Sequence, residues 1–492
     1  MSSAPHTVPS HVLHHVGRDD HGAGYDVVVA GGYDVVVAGG GPAGAATALR
    51  LARAGYSVAL LERTTFDRPR VGETLAPSIQ PLLRDLGVWQ EFVAAGHLPS
   101  WGTRSLWAEP ASHSHLMSGY DSGWHVDRRT FDQMLFDAAA IAGASAFPGT
   151  SLTSCLYTSG IWHLTCATGL RLTARVLIDA TGRQATIARS LGARRILFDH
   201  LVGITARYPD KDTTNEQYLL IEPTPLGWWY TAPLPQNQLI AMLITDTDLC
   251  RHHHLSTLAA YHSHQSQAPT TATRLATNST TKPHHHPPTA DTNLPATHSP
   301  DRDTPSRPHP PLNPDTPNQP RPPLNPDTPS QPHPPPNPDL SSRPHPPPNL
   351  DPSSQPHPPL NLDTPSRPHP PLSLGAPSRL RVYSAASHRV IRPDDPRPWL
   401  AVGDAALAVD PISGSGVPRA LRTAESAART AAALLTHPDQ AAALIEAYES
   451  TRNTECTTYL TTRAAYYAAA TPHPTPFWTR RRSPQNSSLA GS

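Results

Sequence analysis

The sequence of 492 residues predicts an α/β fold with a mainly parallel sheet, a second, mixed β-sheet and C-terminal helices. Three observations lead to this prediction. A βαβ unit with a glycine-rich turn begins at Val35, a strand-like segment at 238–245 lies in the middle of the chain, and alanine-rich helical segments occupy 420–435 and 441–470. Because a βαβ unit joins parallel strands, helices must cover the faces of the resulting sheet.

The glycine-rich turn follows the pattern of a Rossmann-like dinucleotide-binding unit. Residues 35–38 form an apolar strand segment, Gly39, Gly41 and Gly44 follow it, and residues 45–54 continue as a helix. In this pattern the first glycine permits the tight turn and the second lets the backbone approach phosphate. The third glycine lets helix and strand pack closely.

The segment after this helix completes the unit. Residues 57–61 predict the second parallel strand, which ends at Glu62, where a carboxylate can accept hydrogen bonds from ribose hydroxyls. Pro42 and Ala43 in the turn and Arg63 after the strand are further candidate cofactor contacts. The sequence therefore predicts a dinucleotide site, the alternative being a structural βαβ unit with an empty crevice.

The strand before the turn is duplicated. Residues 24–44 read GYDVVVAGGYDVVVAGGGPAG, so that eight residues occur twice before the glycine run. Only the second copy is followed by the third glycine and the helix that phosphate binding needs. We expect the first copy to be a disordered or edge-pairing extension within a disordered leader, residues 1–32.

A proline-rich segment divides the foldable chain. The 59 prolines are concentrated between about residues 268 and 378, within a predicted insert at 263–378, and residues 307–378 repeat a twelve-residue unit six times. With almost no β-branched or aromatic residues, the repeats cannot bury a core, so a long disordered insert is predicted. Residues 33–262 and 379–482 would then be two parts of one interleaved fold, followed by a disordered tail, residues 483–492.

Composition argues against several classes of protein. Basic and acidic residues balance at 39 each, which argues against nucleic acid as a partner. The four cysteines contain no C-x-x-C pair, and the histidine tracts at 252–254 and 284–286 lack metal-ligand spacing, so neither a disulfide framework nor a metal is predicted. No apolar run has membrane-spanning length, and no signal-peptide core is present, so a cytoplasmic protein is expected.

Two further segments have the small residues that a nucleotide cofactor requires. In RVLIDATGR, residues 175–183, a buried strand is followed by Ala180, Thr181 and Gly182, which let the backbone approach a ligand at the strand end. An ordinary strand-to-turn junction is the alternative.

The third segment is LAVGDAALAVDPISGSGVPRAL, residues 400–421. Asp404, after Gly403, can accept hydrogen bonds from a ribityl chain, and Gly414 and Gly416 after Pro411 open a helix whose N-terminus can face an anionic flavin ring. The alternative is that Asp404 caps a helix and the glycines form a plain loop.

These three segments, in this order, resemble the flavoprotein monooxygenases related to para-hydroxybenzoate hydroxylase. The resemblance covers residues 33–248 and 380–482 and implies a Rossmann-like FAD-binding domain with a substrate domain over the flavin. It also implies roles for matching residues: Gly39, Gly41, Gly44 and Glu62 for the ADP half of FAD, and Asp404 for ribityl and pyrophosphate.

The resemblance also implies contacts near the flavin ring. Arg128 in YDSGWHVDRRTFDQML matches an arginine that contacts the cofactor, and Gly414 and Gly416 match a loop that passes the ring. Val417 and Pro418 stand where the family often has Leu-Asn, which puts one polar contact in doubt.

Three motifs point to one branch of this superfamily. RVGETLAP, which begins at Arg70, GWWYTAPLP at 227–235 and RAAYYAAATPHPTPFWTRR at 463–481 are similar to motifs of flavin-dependent halogenases and of flavoproteins that mature lysine-epsilon-oxidase and glycine oxidase. Arg70 is a further candidate cofactor contact. In halogenases a lysine follows the Gly-Glu pair, whereas here the only lysines are Lys211 and Lys282. Halogenation is therefore disfavoured.

The resemblance implies hydroxylation of an aromatic group by a flavin hydroperoxide, with a small molecule or the tryptophan side chain of a partner enzyme as substrate. Glu73, Trp228 and Tyr230 are candidate catalytic residues; their alternatives are a helix-terminal carboxylate and core aromatic residues. No second dinucleotide fingerprint is present, so the electron donor is expected to be visiting NAD(P)H or a partner reductase. A degenerate, non-catalytic FAD-fold protein is the remaining alternative.

Overall fold

The computed structural model describes residues 14–15, 28–107, 111–114, 122–209, 217–277, 379–469 and 473–482. The twelve-residue repeats, most of the leader and the predicted tail lie outside these ranges, and so do both lysines.

The described residues form twenty-one strands and eleven α-helices. The strands in chain order are β1 His14–His15, β2 Val28–Ala38, β3 Val58–Glu62, β4 Thr74–Leu75, β5 Leu98–Ser100, β6 Gly102–Ser105, β7 Ala111–Ser114, β8 Gly123–His125, β9 Ser145–Pro148, β10 Leu152–Thr158, β11 Ile161–Cys166, β12 Arg171–Asp179, β13 Arg194–Leu197, β14 Leu201–Pro209, β15 Tyr218–Thr224, β16 Gly227–Leu234, β17 Gln238–Asp246, β18 Arg381–Ser384, β19 His388–Ile391, β20 Trp399–Ala401 and β21 Leu407–Ala408. The helices are α1 Pro42–Arg53, α2 Ile79–Asp85, α3 Trp89–Ala94, α4 Arg128–Ile141, α5 Thr186–Ser190, α6 Thr247–His252, α7 Leu258–Gln265, α8 Pro269–Thr277, α9 Gly416–Thr436, α10 Ala441–Ala469 and α11 Pro476–Thr479.

The first sheet has the parallel core that the βαβ pattern predicts. Its strand order is β10-β11-β12-β2-β3-β9, with β20 beside β12 and β1 beside β2. The pairs β12–β2, β2–β3, β3–β9 and β12–β20 are parallel. Side chains of Val35, Val36 and Val37 are all fully buried, as expected for a strand covered on both faces.

Helix α1 begins three residues before the predicted start at residue 45. Pro42 occupies its first turn, where the missing amide costs no hydrogen bond and the fixed φ suits a helix. The alanine-rich sequence then continues the helix to Arg53, and Gly55, with φ +88°, follows its end. Buried residues of α1, α4 and α9 share one apolar core with the first sheet.

The duplicated segment extends strand β2 backwards. β2 runs without interruption from Val28 in the first copy to Ala38 in the second. Its first-copy residues continue the pairing with β12, where Val29 lies opposite Arg171 and Gly32 opposite Thr173, with an irregularity between the two pairs.

The first copy should therefore be dispensable for stability. Deleting residues 25–32 keeps the sequence from Tyr33 onward and every buried valine at 35–37. We expect the free energy of unfolding in urea to fall by less than about 1 kcal/mol. Val37→Ala, which truncates a fully buried side chain, should cost about 2 kcal/mol as the reference. A deletion as costly as Val37→Ala would contradict this interpretation.

The second sheet is mixed, as predicted, and has two different faces. Its order is β18-β14-β17-β16-β15-β6-β7, with β15–β6 parallel and the other pairs antiparallel. Trp229 packs on one face with Tyr261 of α7 and Leu275 of α8. Trp228 packs on the opposite face with Tyr467 of α10 and Trp478 of α11.

The predicted start of the insert at residue 263 is wrong. Residues 258–277 form α7 and α8, and Ala268, Ala272 and Leu275 are buried against the second sheet or its neighbours. Their spacing of four and three residues is that of one helical face, and Pro269 suits a helix start. The bias toward proline and histidine concealed this short periodic segment.

Chain segments on both sides of residues 278–378 build the same sheets. Strand β18 pairs with β14, β19 with β13, and β20 with β12. Helices α9 and α10 match the predicted segments 420–435 and 441–470 closely. Among the described helices, none is long and apolar enough to cross a membrane.

Candidate active site

The three predicted cofactor segments meet at the carboxyl ends of strands β2, β12 and β20. The amide of Ala180 donates to the carbonyl of Ala38 at 2.9 Å, and the amide of Val402 donates to the carbonyl of Asp179 at 2.9 Å. Ligands of open α/β sheets bind outside such strand ends. The topology therefore joins three sequence-distant turns into one site.

The glycines of the first turn divide into tightly packed and open positions. A Cβ on Gly39 would lie 2.1 Å from the Ala180 carbonyl oxygen, and one on Gly44 would lie 1.8 Å from the Gly39 carbonyl oxygen. A Cβ on Gly41 would meet no atom within 4 Å. Gly39 and Gly44 thus permit backbone packing, whereas Gly41 faces open space.

This open space lies at the N-terminus of α1, a helix of 12 residues. The amides of Ala43 and Gly44 in its first turn have no acceptor within the helix, and Pro42 has no amide to satisfy. The helix dipole adds positive potential at the same place. The residues present therefore fit the pyrophosphate of a dinucleotide.

Glu62 is buried at the end of β3 and fixed by four hydrogen bonds. Its Oε2 accepts from the amide of Gly40 at 2.9 Å. Its Oε1 accepts from the Thr64 amide at 3.0 Å, the Thr64 hydroxyl at 2.6 Å and Arg70 at 2.9 Å. With one bond, Oε2 retains an acceptor site for a ribose hydroxyl. Arg63, also predicted, has an exposed side chain.

Arg70 and Arg128 converge on Asp132, a residue that the sequence analysis missed. Arg70 donates to Asp132 at 2.8 Å and Arg128 at 2.9 Å, and Arg128 also donates to the Val71 carbonyl at 2.6 Å. Burial alone would lower the pKa of Arg128, but Asp132 raises it above the usual value. The spacing of Arg128 and Asp132 in one helix was the available signal.

Asp179 shapes the second turn and was also missed. Its Oδ1 accepts from the amide and hydroxyl of Thr181 at 2.9 and 2.6 Å, and its Oδ2 accepts from the Ala188 amide at 2.7 Å. Burial raises the pKa of this carboxyl. Gly182 follows with φ +69°, so the strand end turns sharply without a side chain in the space beside it.

Asp404 in the third segment lies between two arginines. Arg419 of α9 donates to it at 3.0 Å, and Arg183 lies 3.4 Å from its other oxygen. A Cβ on the preceding Gly403 would lie 2.7 Å from the Ala43 Cβ, which brings this turn against the start of α1. Both arginines add positive charge where a pyrophosphate is expected.

The loop from Asp410 to Gly416 leads into α9. Asp410 is fully buried; its carboxylate accepts from the Ile412 amide at 3.0 Å and from the Tyr467 hydroxyl at 2.9 Å. Burial raises the pKa of Asp410. Pro411 starts a short 3₁₀ turn that ends at Gly414 with φ +56°. A Cβ on Gly414 or Gly416 would meet no atom within 4 Å.

Glu73 is fully buried and immediately precedes strand β4. Its Oε2 accepts from the Gly72 amide at 2.8 Å. Its Oε1 has no hydrogen-bond partner and lies 3.8 Å from Arg207. Burial raises the pKa of Glu73, and the guanidinium groups of Arg207 and Arg128 oppose this shift.

Tyr230 is hydrogen-bonded to Thr74, the residue that follows Glu73 in the sequence. Its hydroxyl lies 2.6 Å from the Thr74 hydroxyl, which lies 3.0 Å from Nδ1 of His125. Nε2 of His125 lies 3.2 Å from the Gln217 carbonyl oxygen. Burial and the charge of Glu73 raise the pKa of Tyr230. Thr74 and His125 lie inside the motifs RVGETLAP and YDSGWHVDRRTFDQML but were not singled out there, because their contacts join three separate strands.

Trp228 shares a sheet face with Tyr230 but occupies a different environment. It is fully buried, and its Nε1 donates to the Tyr467 hydroxyl at 3.3 Å. Its ring centroid lies 6.1 Å from that of Trp107. The structure therefore brings Glu73 and Tyr230 together, whereas Trp228 belongs to an aromatic core beside them. Among the described residues, no cluster of three potential metal ligands occurs.

Gly41→Ala should separate binding from folding. Because Gly41 has φ −73° and open space at its Cβ position, the free energy of unfolding should change by less than about 0.5 kcal/mol. Its methyl group should displace the pyrophosphate and weaken FAD binding by about tenfold or more. Urea unfolding and FAD fluorescence quenching measure the two quantities.

The matched variant is Gly44→Ala, whose methyl group meets the Gly39 backbone and should cost about 2 kcal/mol or more. Unchanged FAD affinity in Gly41→Ala would contradict the assignment of the phosphate site.

Glu73→Gln should change how stability depends on pH. The folded-state pKa of Glu73 is raised above the ordinary 4.5, so its contribution to stability is lost as the pH rises through that raised value. The glutamine variant does not lose stability in this way, and its side-chain oxygen can still accept the hydrogen bond from the Gly72 amide. Its free energy of unfolding, relative to the wild type, should therefore increase as the pH rises above 4.5.

Urea unfolding of the apoprotein across this pH range measures the difference. Glu91→Gln at an exposed position is the control. A Glu73→Gln curve parallel to the wild type at all pH values would refute the buried, destabilised carboxylate.

Comparison with known proteins agrees with this geometry. The sequence profile of the FAD binding domain family matches residues 32–297, more than half of the chain. The chain belongs to this family and is a flavin-dependent enzyme of the FAD-dependent oxidoreductase type. The predicted FAD cofactor and the predicted family resemblance are confirmed.

Particular relatives include an oxidoreductase and a halogenase. The chain is 31% identical over 268 residues to the FAD-dependent oxidoreductase LodB of Marinomonas mediterranea, covering 53% of this chain and 70% of LodB. It is 31% identical over 198 residues to a 1H-pyrrole-2-carbonyl peptidyl-carrier-protein chlorinase of Pseudomonas fluorescens, covering 35% of this chain and 42% of the chlorinase.

Solved structures share the fold. The flavin-dependent halogenase CmlS superposes with a TM-score of 0.65 at 20% identity, over 92% of this chain and 68% of CmlS. The peptidyl tryptophan dihydroxylase QhpG superposes with a TM-score of 0.57 at 18% identity, over 94% of this chain and 81% of QhpG. The predicted α/β fold with a mixed sheet and C-terminal helices is thereby confirmed.

Proposed function

We propose that this protein is an FAD-dependent monooxygenase that hydroxylates an aromatic ring. The observation that carries the proposal is the buried carboxylate of Glu73, which follows Gly72 beside Arg128, together with the half-buried phenol of Tyr230 and the lack of a lysine among the described residues. The helix after the Gly72-Glu73 pair presents Gln80, Pro81 and Leu82. Both lysines of the sequence, Lys211 and Lys282, lie outside the described residues, so no described residue can act as the halogenating lysine.

The chain's own residues would perform binding, orientation and exclusion of water. Bound FAD, once reduced, supplies the chemistry that activates oxygen. The amides at the start of α1, Glu62 and Asp404 hold its ADP and ribityl portions. The second sheet and its aromatic core, including Trp228, cover the reacting region and keep water from it.

Glu73 and Tyr230 would act on the substrate directly. A buried carboxylate with a raised pKa is a stronger base than an exposed one and can accept a proton or a hydrogen bond from a ring substituent. A phenol held at a fixed orientation can position the same ring. Val417 and Pro418 do not supply the polar contact near the flavin ring that the family often has. Glu73 and Tyr230 can supply polar groups there instead.

The substrate would be a small aromatic molecule or the tryptophan side chain of a partner enzyme. Similarity to LodB at 31% identity and the fold shared with QhpG, a peptidyl tryptophan dihydroxylase, support the tryptophan substrate. The electron donor would be NAD(P)H or a partner reductase, because the sequence contains one complete dinucleotide fingerprint, which FAD occupies.

The absorption spectrum of the purified protein is the first test. We expect a two-band flavin spectrum, release of FAD on denaturation, and loss of both in Gly41→Ala. A colourless protein that takes up no added FAD would overturn the enzymatic proposal and leave a non-catalytic FAD fold.

The second test distinguishes hydroxylation from halogenation. The FAD-loaded protein, NAD(P)H or a reductase, oxygen and halide are incubated with aromatic compounds and tryptophan-containing peptides. Mass spectrometry should detect addition of oxygen that does not depend on halide, and this addition should fall about a hundredfold or more in Glu73→Gln. A halogenated product would refute the proposal.

A further inference from the structure

We propose that Tyr459 and Tyr467 of helix α10 are positioning residues for the FAD cofactor, because they fix the loop from Asp410 to Gly416 that opens helix α9. This inference rests on FAD binding alone and not on the reaction proposed above. The hydrogen bonds that carry it lie outside both the glycine-rich turn and the surroundings of Glu73.

The start of α9 lies beside the start of α1. A Cβ on Gly403 would lie 2.7 Å from the Cβ of Ala43 in α1 and 3.9 Å from the Cβ of Ala420 in α9. In the first turns of α9, Arg419 donates to Asp404 at 3.0 Å. Two helices therefore begin at the sheet edge where the three cofactor turns meet.

The N-terminus of α9 is open toward an anion. The helix has 21 residues, no acidic side chain in its first turn and no side-chain cap from Ser415. The amides of Gly416 and Val417 have no acceptor within the helix, and Pro418 has no amide. A Cβ on Gly414 or Gly416 would meet no atom within 4 Å, so the loop borders open space.

This second N-terminus suits the reduced state of the cofactor. FAD carries negative charge on its pyrophosphate and, once reduced, also on its ring. The start of α1 fits the pyrophosphate, as described above. The charge that the amides of α9 can stabilise is therefore that of the reduced ring.

The loop itself is exposed and is held at its buried end. Residues 413, 414 and 416 are exposed, and Gly414 has φ +56°. Asp410 is fully buried. Its Oδ1 accepts from the Ile412 amide at 3.0 Å, and its carbonyl oxygen accepts from the Ser413 amide at 3.1 Å. The position of this glycine-containing loop therefore depends on what holds Asp410.

Two tyrosines of α10 hold Asp410. The Asp410 amide donates to the Tyr459 oxygen at 2.8 Å, and the Tyr467 hydroxyl donates to Oδ2 of Asp410 at 2.9 Å. The two tyrosines are about two helical turns apart, so they lie on one face of α10. One helix face thus fixes both the backbone and the side chain of the residue from which the loop starts.

Trp228 directs the Tyr467 proton. An indole N–H can only donate, so Nε1 of Trp228 donates to the Tyr467 oxygen at 3.3 Å, and the phenol proton is directed to Asp410. Ile412 of the loop packs on the aromatic cluster that contains Trp228, Tyr467 and Trp478. The second sheet and the C-terminal helices therefore hold the loop jointly, and Trp228 acts on it through Tyr467.

The test is the midpoint potential of bound FAD in Tyr467→Phe. Without the hydroxyl, Asp410 and the loop can shift, and the amides of α9 lose their fixed positions. Reduced FAD should then lose about tenfold in affinity relative to oxidised FAD, which for a two-electron couple lowers the midpoint potential by about 30 mV. Reductive titration against a reference dye measures the potential, and fluorescence quenching measures the affinity for oxidised FAD.

Tyr261→Phe is the matched control. Tyr261 is also fully buried, and its hydroxyl donates to the Ala241 carbonyl at 2.9 Å on the opposite face of the second sheet. Both variants remove one buried hydroxyl, so urea unfolding should show a similar loss of stability, whereas only Tyr467→Phe should lower the potential. Tyr459→Phe, which removes the acceptor of the Asp410 amide, should lower the potential as well.

The outcomes separate this inference from the proposed function. A wild-type potential in both Tyr467→Phe and Tyr459→Phe would overturn the positioning role, because a loop that affects only oxidised and reduced FAD equally does not act on the reduced ring. An equal fall of the potential in Tyr261→Phe would overturn it too, since the effect would be general damage. If Tyr467→Phe does not fold, the potential of Tyr459→Phe decides.

The wild-type protein distinguishes the remaining cases. A protein that binds FAD but forms no oxygenated product would overturn the proposed reaction, while the lowered potential in the tyrosine variants would still support their positioning role. A protein that takes up no FAD would overturn both.

Discussion

The close approach of three strand ends is the constraint on which the site depends. Gly39 contacts the backbone at Ala180, with only 2.1 Å available to a Cβ, and Gly403 contacts the start of α1 at Ala43. Parallel strands β2, β12 and β20 place these turns at one sheet edge. Any side chain at Gly39 would force the second turn away from the first, so the cofactor site requires this packing before it has any affinity.

Buried charges around this packing are arranged in compensated groups. Asp132 receives both Arg70 and Arg128, and Arg70 in turn donates to Glu62. This chain of bonds ties Glu62, the proposed ribose ligand, to helix α4. Glu73 differs, because one of its oxygens has no hydrogen-bond partner. A buried carboxylate oxygen without a hydrogen bond is expensive, even with Arg207 at 3.8 Å, and such groups are concentrated at functional sites, which distinguishes Glu73 from the structural carboxylates.

The sequence was sufficient to predict FAD as the cofactor and the strand–turn–helix segment that holds the proposed FAD contacts. Its residues lie in contiguous motifs, such as Gly39 to Gly44, where one strand, one turn and one helix determine the geometry. Asp132, Thr74 and His125 were not predictable in this way, because their partners are 62, 156 and 51 residues distant in the pairs that matter. Helix α8 was missed for a different reason: its few periodic apolar residues adjoin a long, strongly biased segment. The sequence also showed which copy of the duplicated strand belongs to the dinucleotide-binding unit, since only the second copy precedes a helix.

The cofactor-binding half and the reacting half of the site therefore depend on different kinds of residues. Cofactor binding depends on backbone amides and small residues, which tolerate only local variation, and the resemblance to flavoproteins arises there. The reacting half depends on single side chains from β4, β8, β14 and β16, each of which can change without disturbing the packing of the strand ends. This architecture is shared with a halogenase and with a dihydroxylase, so the fold alone does not select the reaction, and under the proposed function the side chains around Glu73 would select the substrate ring.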